Sequence, residues 1–209
     1  MGASMHVDGS RPVTLVEARK LLHMMFTDRR AALARIRRGV GIVRAHIVFR
    51  GAEIGARVNA TGRVRVVADG RISLAPHVQF LGGMIPSEIV CRPGGELLIG
   101  AYTSFNYGVV IDCTTSIHIG ERCLVGSMTC FRDSDPRRSG PIVIGDDVWV
   151  AHGALIEPGV RVGAGSIVSA GSVVTTDVPP DSIAVGNPAQ SFPLGSDVKN
   201  IRPAARAEA

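Results

Sequence analysis

The sequence predicts an all-β fold in which the chain winds into a parallel β-helix of six-residue repeats. Branched apolar residues recur every six positions near the end of the chain, and small residues directly follow four of them. Neither a helix, with about 3.6 residues per turn, nor an alternating strand, with about two, has that period. A content of 25 glycines and only 4% aromatic residues suits tight corners around a thin aliphatic interior. The repeat residues are Ile144, Val150, Ile156, Val162, Val168 and Val174.

The first 40 residues are predicted to form a disordered start followed by a short helical cap. Thr14 and Glu17 have the spacing of a capping box at a helix start. An apolar stripe at helical spacing follows, and Gly39 is a plausible stop. We expect a cap because the open end of a β-helix exposes unpaired strand edges. The stripe consists of Leu15, Ala18, Leu22 and Met25.

The β-helix itself is expected over residues 41–189, since the chain becomes strand-like from about residue 42. Residues 132–141 break the six-residue period with charges, prolines and glycine, so we predict a loop extruded from the coil there. The motif at residues 177–189 ends the repeat, and residues 190–209 are predicted to be a polar C-terminal tail.

Three repeats close one coil, so repeat residues one coil apart should stack in columns. The predicted columns are Ile99, Ile119, Ile144 and Val162; Phe105, Val125, Val150 and Val168; and Ile111, Phe131, Ile156 and Val174. The same arithmetic places Tyr107, Ser127, His152 and Ala170 in one column.

Charge and composition restrict the classes of partner. The net charge is +5, and much of the basic excess lies in residues 29–50, where no aromatic residues are interleaved as in nucleic-acid-binding segments. Such a run is usually a solvated face, although it could attract an anionic membrane surface weakly. No stretch is long and apolar enough to span a membrane. The four cysteines lack zinc-type spacing, and without an export signal we expect them to be reduced in a cytoplasmic protein.

Residues 140–189 resemble the hexapeptide-repeat acyltransferases. Their sequence is GPIVIGDDVWVAHGALIEPGVRVGAGSIVSAGSVVTTDVPPDSIAVGNPA. It is most similar to the group of maltose and galactoside O-acetyltransferases and to sugar O-acetyltransferases of polysaccharide pathways. The resemblance implies a left-handed β-helix, a homotrimer with active sites between subunits, and acetyl-CoA or another acyl-CoA as co-substrate. It implies no metal.

The resemblance also implies a binding site for CoA. Trp149 matches the family's tryptophan in the V-W-I-G motif, which forms a wall of that site. The backbone at Ala151, Ala170 and Thr175 falls where family members contact the pantetheine arm. On the acceptor side, Asn106 and Tyr107 are similar to a family N-Y or N-F pair whose asparagine binds the acceptor or orients a histidine.

Asp112 matches an acidic acceptor ligand of the family, with a gap from Asn106 that is one residue short. The larger departure concerns the general base. Related enzymes carry a histidine just before a proline in the extruded loop, whereas residues 130–136 here read CFRDSDP. General-base catalysis typically contributes roughly 10²–10⁴-fold, so the missing base has to be replaced.

Two replacements are open, and each has a plain structural alternative. His152 lies where the resemblance puts the CoA thiol, so it is a candidate catalytic base; it could instead be a stacked interface residue or a pantetheine contact. Asp133 and Asp135 occupy the loop itself. They could act as bases if burial raised their pKa, but they could equally be solvated loop carboxylates.

These observations predict a CoA-dependent acyltransferase, of the O-acetyltransferase type, that acts on a hydroxyl or amine of a sugar or other small-molecule acceptor. One alternative is a catalytically silent trimer used for binding or scaffolding. The other is a metal hydratase like the γ-carbonic anhydrases, which needs three converging histidines, and no closely spaced histidine pair is present.

Overall fold

The computed structural model describes residues 39–195, in which one helix is followed by twenty short strands. Helical backbone covers residues 39–48. The strands are β1 Glu53–Ile54, β2 Asn59–Ala60, β3 Val64–Ala68, β4 Arg71–Leu74, β5 Gln79–Phe80, β6 Ser87–Cys91, β7 Glu96–Ile99, β8 Ser104–Phe105, β9 Val110–Cys113, β10 Ser116–Ile119, β11 Leu124–Val125, β12 Cys130–Arg132, β13 Ile142–Ile144, β14 Trp149–Val150, β15 Leu155–Ile156, β16 Arg161–Val162, β17 Ile167–Val168, β18 Val173–Val174, β19 Ser182–Gly186 and β20 Ala189–Pro193.

Successive strands lie on three sheets in turn, so the chain winds as a three-sided prism. Face A contains β1, β4, β7, β10, β13 and β16, and face C contains β3, β6, β9, β12, β15 and β18. Face B contains β2, β5, β8, β11, β14, β17 and β19, with β20 at its edge. The described residues make about six coils, and every pairing between coils is parallel. The predicted fold class is therefore confirmed.

The three predicted columns form the core of the prism. The observed registers pair Ile99 with Ile119, Phe105 with Val125 and Ile111 with Phe131, and they continue through the later coils as predicted. All twelve side chains are buried. The small residue after a repeat position is also explained. A Cβ added at Gly145 would lie 2.6 Å from the Ala164 nitrogen of the next coil, so only glycine fits.

The N-terminal boundary differs from the prediction. Residues 40–48 are helical rather than strand-like, and the first strand begins only at Glu53. Val40, Val43 and Ile47 in this stretch are β-branched, but their spacing also fits a helix. This helix caps the prism, because Ala45 and Phe49 are fully buried and the Phe49 ring lies 5.0 Å from that of Phe80. The predicted capping box and stripe at residues 14–25 lie outside the described residues.

The C-terminal boundary also needs correction. The chain does not become a tail at residue 190, because β20 folds back antiparallel on β19, pairing Gly186 with Ala189 and Ser182 with Pro193. The turn lies at Asn187 and Pro188, residue types that favour turns. Leu194 is buried behind this hairpin. The rest of the predicted tail, residues 196–209, lies outside the described residues.

Two loops interrupt the regular coil, and only one was predicted. Between β12 and β13 the chain takes ten residues from Arg132 to Ile142, where the preceding coil takes five from Asp112 to Ile117. This confirms the extruded loop. A second, shorter extrusion at residues 81–86, between β5 and β6, was missed. Its sequence, LGGMIP, has no charged residues and did not stand out as a loop.

Candidate active site

The predicted site residues lie at two different corners of the prism, except Trp149 and Asp112, which lie within strands β14 and β9. The B/C corner, between faces B and C, consists of residues 106–109, 126–129, 151–154 and 169–172 of four successive coils. The C/A corner contains the extruded loop with Asp133 and Asp135. A strand of face C separates the two corners by roughly 15 Å, at about 3.3 Å per residue. One chain therefore does not bring the two sets of candidates together.

The predicted column at the B/C corner is present. The amide of Met128 donates to the Tyr107 carbonyl at 3.1 Å, and the amide of Gly153 donates to the Ser127 carbonyl at 2.9 Å. The amide of Gly171 donates to the His152 carbonyl at 2.9 Å. Tyr107, Ser127, His152 and Ala170 therefore occupy equivalent positions in successive coils, spaced about 4.8 Å apart.

His152 and Ser127 are joined by a side-chain hydrogen bond within this column. The His152 Nδ1 atom lies 2.8 Å from Ser127 Oγ. Ser127 is only 8% exposed, whereas His152 is exposed. The imidazole is thus anchored at one nitrogen, and Nε2 is the nitrogen on the far side of the ring from the anchor. The column arithmetic could have identified this pair, although the sequence interpretation had singled out only the histidine.

The backbone beside this pair is open. Gly153 and Gly171 have positive φ angles of 67° and 68°. A Cβ added at either glycine would meet no atom of the described residues within 4 Å. An extended ligand could therefore approach the main chain closely here, as glycine permits. Met128 holds the corresponding place one coil earlier, with φ of 62°, and its side chain lies over Gly108.

The four predicted CoA contacts divide between the corners. Ala151 and Ala170 lie at the B/C corner on either side of Gly153. Trp149 immediately precedes this corner on face B, half-buried, in register between Leu124 and Ile167. Thr175, by contrast, follows β18 and begins the C/A corner. Three of the four residues thus lie near His152, and Thr175 does not lie near it within the same chain.

Asn106 and Tyr107 form a second, smaller polar group at the same corner. The Asn106 Oδ1 atom accepts a hydrogen bond from the Tyr107 amide at 2.9 Å. This bond fixes the side chain and leaves the amide nitrogen as the group that Asn106 can offer to a ligand. The Tyr107 ring packs against Gly83 of the loop at residues 81–86. Tyr107 and His152 are two coils apart, which is about 10 Å.

Asp112 is engaged with a cation in the described chain. Arg92 donates to both of its oxygens, from Nε at 3.2 Å and from a terminal nitrogen at 3.3 Å. Arg132 is its neighbour in register on face C. An acceptor that bound the Asp112 carboxylate would share it with Arg92, and the acceptor contact stays a prediction.

The structure argues against Asp133 as a general base. Its side chain is fully buried, and its carboxylate accepts hydrogen bonds from the amides of Thr114, Thr115 and Ser116 at 2.7–2.8 Å. The Thr115 hydroxyl donates to it as well, at 3.0 Å. The carboxylate thus holds the preceding coil's corner in place. A group so enclosed and so fully bonded cannot reach an acceptor hydroxyl.

Asp135 is also poorly suited to be a base. Its Oδ1 atom accepts hydrogen bonds from the amides of Arg137 and Arg138, at 2.7 and 2.9 Å. These bonds lower the pKa of Asp135 below its usual value, which is the opposite of the raised pKa that the prediction required. Of the three candidate bases, His152 is therefore the one whose surroundings permit the role.

Within residues 39–195, the cysteines and the remaining histidines do not cluster as a metal site would require. All four cysteines are free, and burial raises the pKa of Cys123 to about 11, so its thiol stays protonated near neutral pH. Within residues 39–195, no three His, Cys, Asp or Glu side chains converge as a metal site would require. In the same range, no helix is long and apolar enough to cross a membrane.

Comparison with known proteins agrees with this architecture. Residues 141–176 match the family described as Bacterial transferase hexapeptide (six repeats). A curated relative, the galactoside O-acetyltransferase of Escherichia coli K12, is 36% identical over 108 residues, covering 46% of this chain and 52% of its own length. The chain thus spans about half the length of this relative, and less of several others.

Two solved structures extend the likeness beyond the repeat. The polySia specific acetyltransferase NeuO is 25% identical, covers 68% of this chain and 75% of its own, and gives a TM-score of 0.50. A galactoside acetyltransferase in complex with coenzyme A is 24% identical, covers 74% and 71%, and gives a TM-score of 0.52. At that identity the second shows likeness of fold alone. Together with the matched repeat, these findings confirm the resemblance to the hexapeptide-repeat acyltransferases.

Proposed function

We propose that this chain is a CoA-dependent acyltransferase that transfers an acetyl group to a hydroxyl or amine of a sugar or other small-molecule acceptor. The observation that carries the proposal is the B/C corner, where the exposed His152, anchored on Ser127, lies beside an open, glycine-lined backbone. The named activity of the galactoside O-acetyltransferase relative supports the same reaction class.

The proposed cofactor site follows from the shape of this corner. Trp149 would form one wall, and the backbone at Ala151 and Ala170 would contact the extended pantetheine arm of acetyl-CoA. The described chain offers Thr175 only at another corner, so that residue would have to contact a cofactor held mainly by a neighbouring subunit. CoA supplies an activated thioester, whose carbonyl carbon the acceptor oxygen or nitrogen attacks.

His152 would act as the general base for the acceptor, and no side chain of the protein would act as a nucleophile. Its Nε2 would take the proton that the acceptor loses as the new C–O or C–N bond forms, and would return it to the departing sulfur as the C–S bond breaks. No covalent enzyme intermediate is required. The amide nitrogen of Asn106 and the Tyr107 ring, about 10 Å away along the corner, would hold the acceptor.

A homotrimer is part of the proposal, and two features support it. First, the extruded loop and the B/C corner belong to opposite ends of face C, so a shared groove would bring one subunit's loop to another's His152. Second, face B carries an apolar row in register across four coils, in which Ile167 is buried within the chain and the other three side chains stay partly exposed. Residues of this kind are usually covered by a partner. The row is Leu124, Trp149, Ile167 and Ile183.

The free cysteines are in keeping with a cytoplasmic location.

The catalytically silent scaffold stays as the second candidate. The commitment of Asp133 to the corner of residues 114–116, and the lowered pKa of Asp135, favour it, because the loop then supplies no base. The two functions differ in one measurable respect, namely whether the protein turns over acyl-CoA.

The test is free-thiol release from acetyl-CoA in the presence of sugars, amino sugars and hydroxylated metabolites. We expect turnover with at least one acceptor, loss of turnover in His152→Ala, and normal turnover in the control His118→Ala, which alters face A. Light scattering on the same sample should give about three times 22 kDa. Absence of thiol release above background, with a folded trimer, would favour the scaffold.

A further inference from the structure

We propose that Ser127 is the positioning residue of His152: its hydroxyl accepts the Nδ1 proton, so that the Nε2 lone pair faces the ligand. The proposal deepens the acyltransferase reaction above and rests on it for any effect on turnover. Its structural part, the tautomer of His152, can be tested in the protein without any substrate. The resemblance to the hexapeptide-repeat acyltransferases assigns no role to Ser127.

The first argument is that Ser127 is held rigidly. It is almost fully buried, and its carbonyl accepts the Gly153 amide, which fixes the two coils in register beside the pair. The buried Thr129 hydroxyl lies 2.9 Å from the Gly126 carbonyl and 3.2 Å from that of Ala151, so it ties the residues just before Ser127 and His152 together. The Ser127 Oγ atom is therefore a fixed point in the molecule.

The second argument is that His152 has little else to orient it. The side chain is exposed, and its neighbours in the corner are Met128 on the preceding coil and Ala170 and Gly171 on the following one. None of these side chains is ionisable or can hydrogen-bond to a ring nitrogen strongly. The 2.8 Å contact to Ser127 is thus the specific polar contact that the described chain gives the imidazole.

The third argument concerns which atom donates. A neutral imidazole carries its proton on one nitrogen, and a hydroxyl can either accept from Nδ1–H or donate to a bare Nδ1. Only the first arrangement leaves the Nε2 lone pair available for the acceptor's proton. Once Nε2 has taken that proton, both nitrogens are donors, and the Nδ1–H bond to Oγ becomes charge-assisted and stronger. Ser127 therefore supports the form that the proposed base has during the reaction.

The experiment measures the tautomer directly. Protein labelled with ¹⁵N histidine is examined by long-range ¹H–¹⁵N NMR, with His152→Gln identifying the His152 signals. We expect the wild-type ring to be protonated at Nδ1 and Ser127→Ala to show a mixture or a change to Nε2. Ser127→Cys keeps the shape but replaces the oxygen by a poor acceptor, and it should behave like Ser127→Ala.

Kinetics supply the second readout. Ser127→Ala should lower kcat by roughly tenfold, the lower end of the loss seen when the hydrogen-bond partner of a metal-ligating histidine is removed, with the KM for acetyl-CoA unchanged. Ser127→Thr, which restores the hydroxyl, should recover activity. Ser73→Ala on face A should change neither the tautomer nor kcat.

Two results would overturn the proposal: a wild-type His152 protonated at Nε2, or a Ser127→Ala variant with unchanged tautomer and unchanged kcat. Failure of the proposed function has a different signature. In that case no acceptor yields thiol release from the wild type, while the NMR measurement still decides whether Ser127 sets the tautomer.

Discussion

Two corners of the prism use the same left-handed turn and fill it differently. At the corner between faces A and B, which we call the A/B corner, one positive-φ position is a glycine, Gly165, and the others hold side chains: Arg57, His77, Tyr102, Arg122, Asp147 and Asp181. At the B/C corner the equivalent places are mostly glycine, at Gly108, Gly153 and Gly171. Only glycine adopts this conformation without steric cost. The A/B corner therefore accepts this strain at most of its turns, whereas the B/C corner accepts it at Met128.

The side chains of the A/B corner stack on one another. The His77 and Tyr102 rings are 4.6 Å apart and nearly parallel, and Arg122 donates to both oxygens of Asp147 at 3.0 and 2.9 Å. These contacts cover the turns and connect one coil to the next. The B/C corner lacks such a ladder around Gly153 and Gly171 and leaves main chain accessible. We therefore propose that the A/B corner stabilises the β-helix, and the proposed function requires the B/C corner to bind the ligand.

The comparison would be tested most strongly by removing the imidazole at each corner. His152→Ala should reduce turnover by roughly 10²-fold or more, since a general base is worth about that much, with little change in CoA affinity. His77→Ala removes a ring from the A/B corner and should leave turnover unchanged. Both variants are compared by steady-state thiol release and by CoA titration.

Equal losses in the two variants would mean that the corners do not differ in function. A normal His152→Ala enzyme would move the reaction to positioning and oxyanion stabilisation alone, with Asn106 the next residue to change.

At the C/A corner, we expect Asp133 to contribute to stability and not to catalysis. Asp133→Asn replaces a buried carboxylate, and its new amide group faces the donor amides of residues 114–116. Leaving buried donors unsatisfied should lower the free energy of unfolding by about 2 kcal/mol. Asp135→Asn, in the same loop but partly exposed, should change stability much less. Chemical denaturation measures both. Loss of turnover in Asp133→Asn with unchanged stability would return the catalytic role to this carboxylate.

The strength of the sequence prediction depended on whether a residue's role follows from the repeat. The columns through Ile144 and Val150 were correct because inward positions recur at a fixed period, and the same period placed Ser127 beside His152. The role of Asp133 could not be read this way. It depends on a loop leaving the coil and returning its side chain beneath the corner of the preceding coil, and no local spacing encodes such a path.

The helical cap shows a second limit. Val40, Val43 and Ile47 are β-branched and exposed, and Phe49 is buried at the prism end. Their residue types favour strand, whereas their spacing also fits a helix, so the sequence permits both interpretations. Packing of Ala45 and Phe49 on the first coil decides between them, and that information is tertiary.

A smaller effect is expected from exchanging the residue types of the two corners. Gly171→Ala puts a Cβ on a residue with φ of 68°, which should cost roughly 1–2 kcal/mol. The added methyl group would also narrow the open backbone and raise the KM for acetyl-CoA. Tyr102→Gly at the A/B corner relieves the same kind of strain but loses the ring stack, so its net change should be small.

Denaturation curves and CoA kinetics for this pair separate strain from ligand access. If Gly171→Ala lost stability but kept its KM, the open backbone at residue 171 would not be where the cofactor lies.

The smallest expected signal is also the most local. Trp149 is the only tryptophan in the chain, and it lies half-buried next to the B/C corner. If pantetheine lies along Ala151 and Ala170, titration with acetyl-CoA should change the intensity or wavelength of Trp149 emission. Binding to the folded state alone should also raise the melting temperature as ligand is added.

In Gly171→Ala the midpoint of the acetyl-CoA titration should move to higher concentration while the final Trp149 emission spectrum stays similar. In Tyr102→Gly the midpoint should match the wild type. A titration that shifts the melting temperature but leaves Trp149 emission unchanged would place the cofactor on another face and remove the functional contrast between the corners.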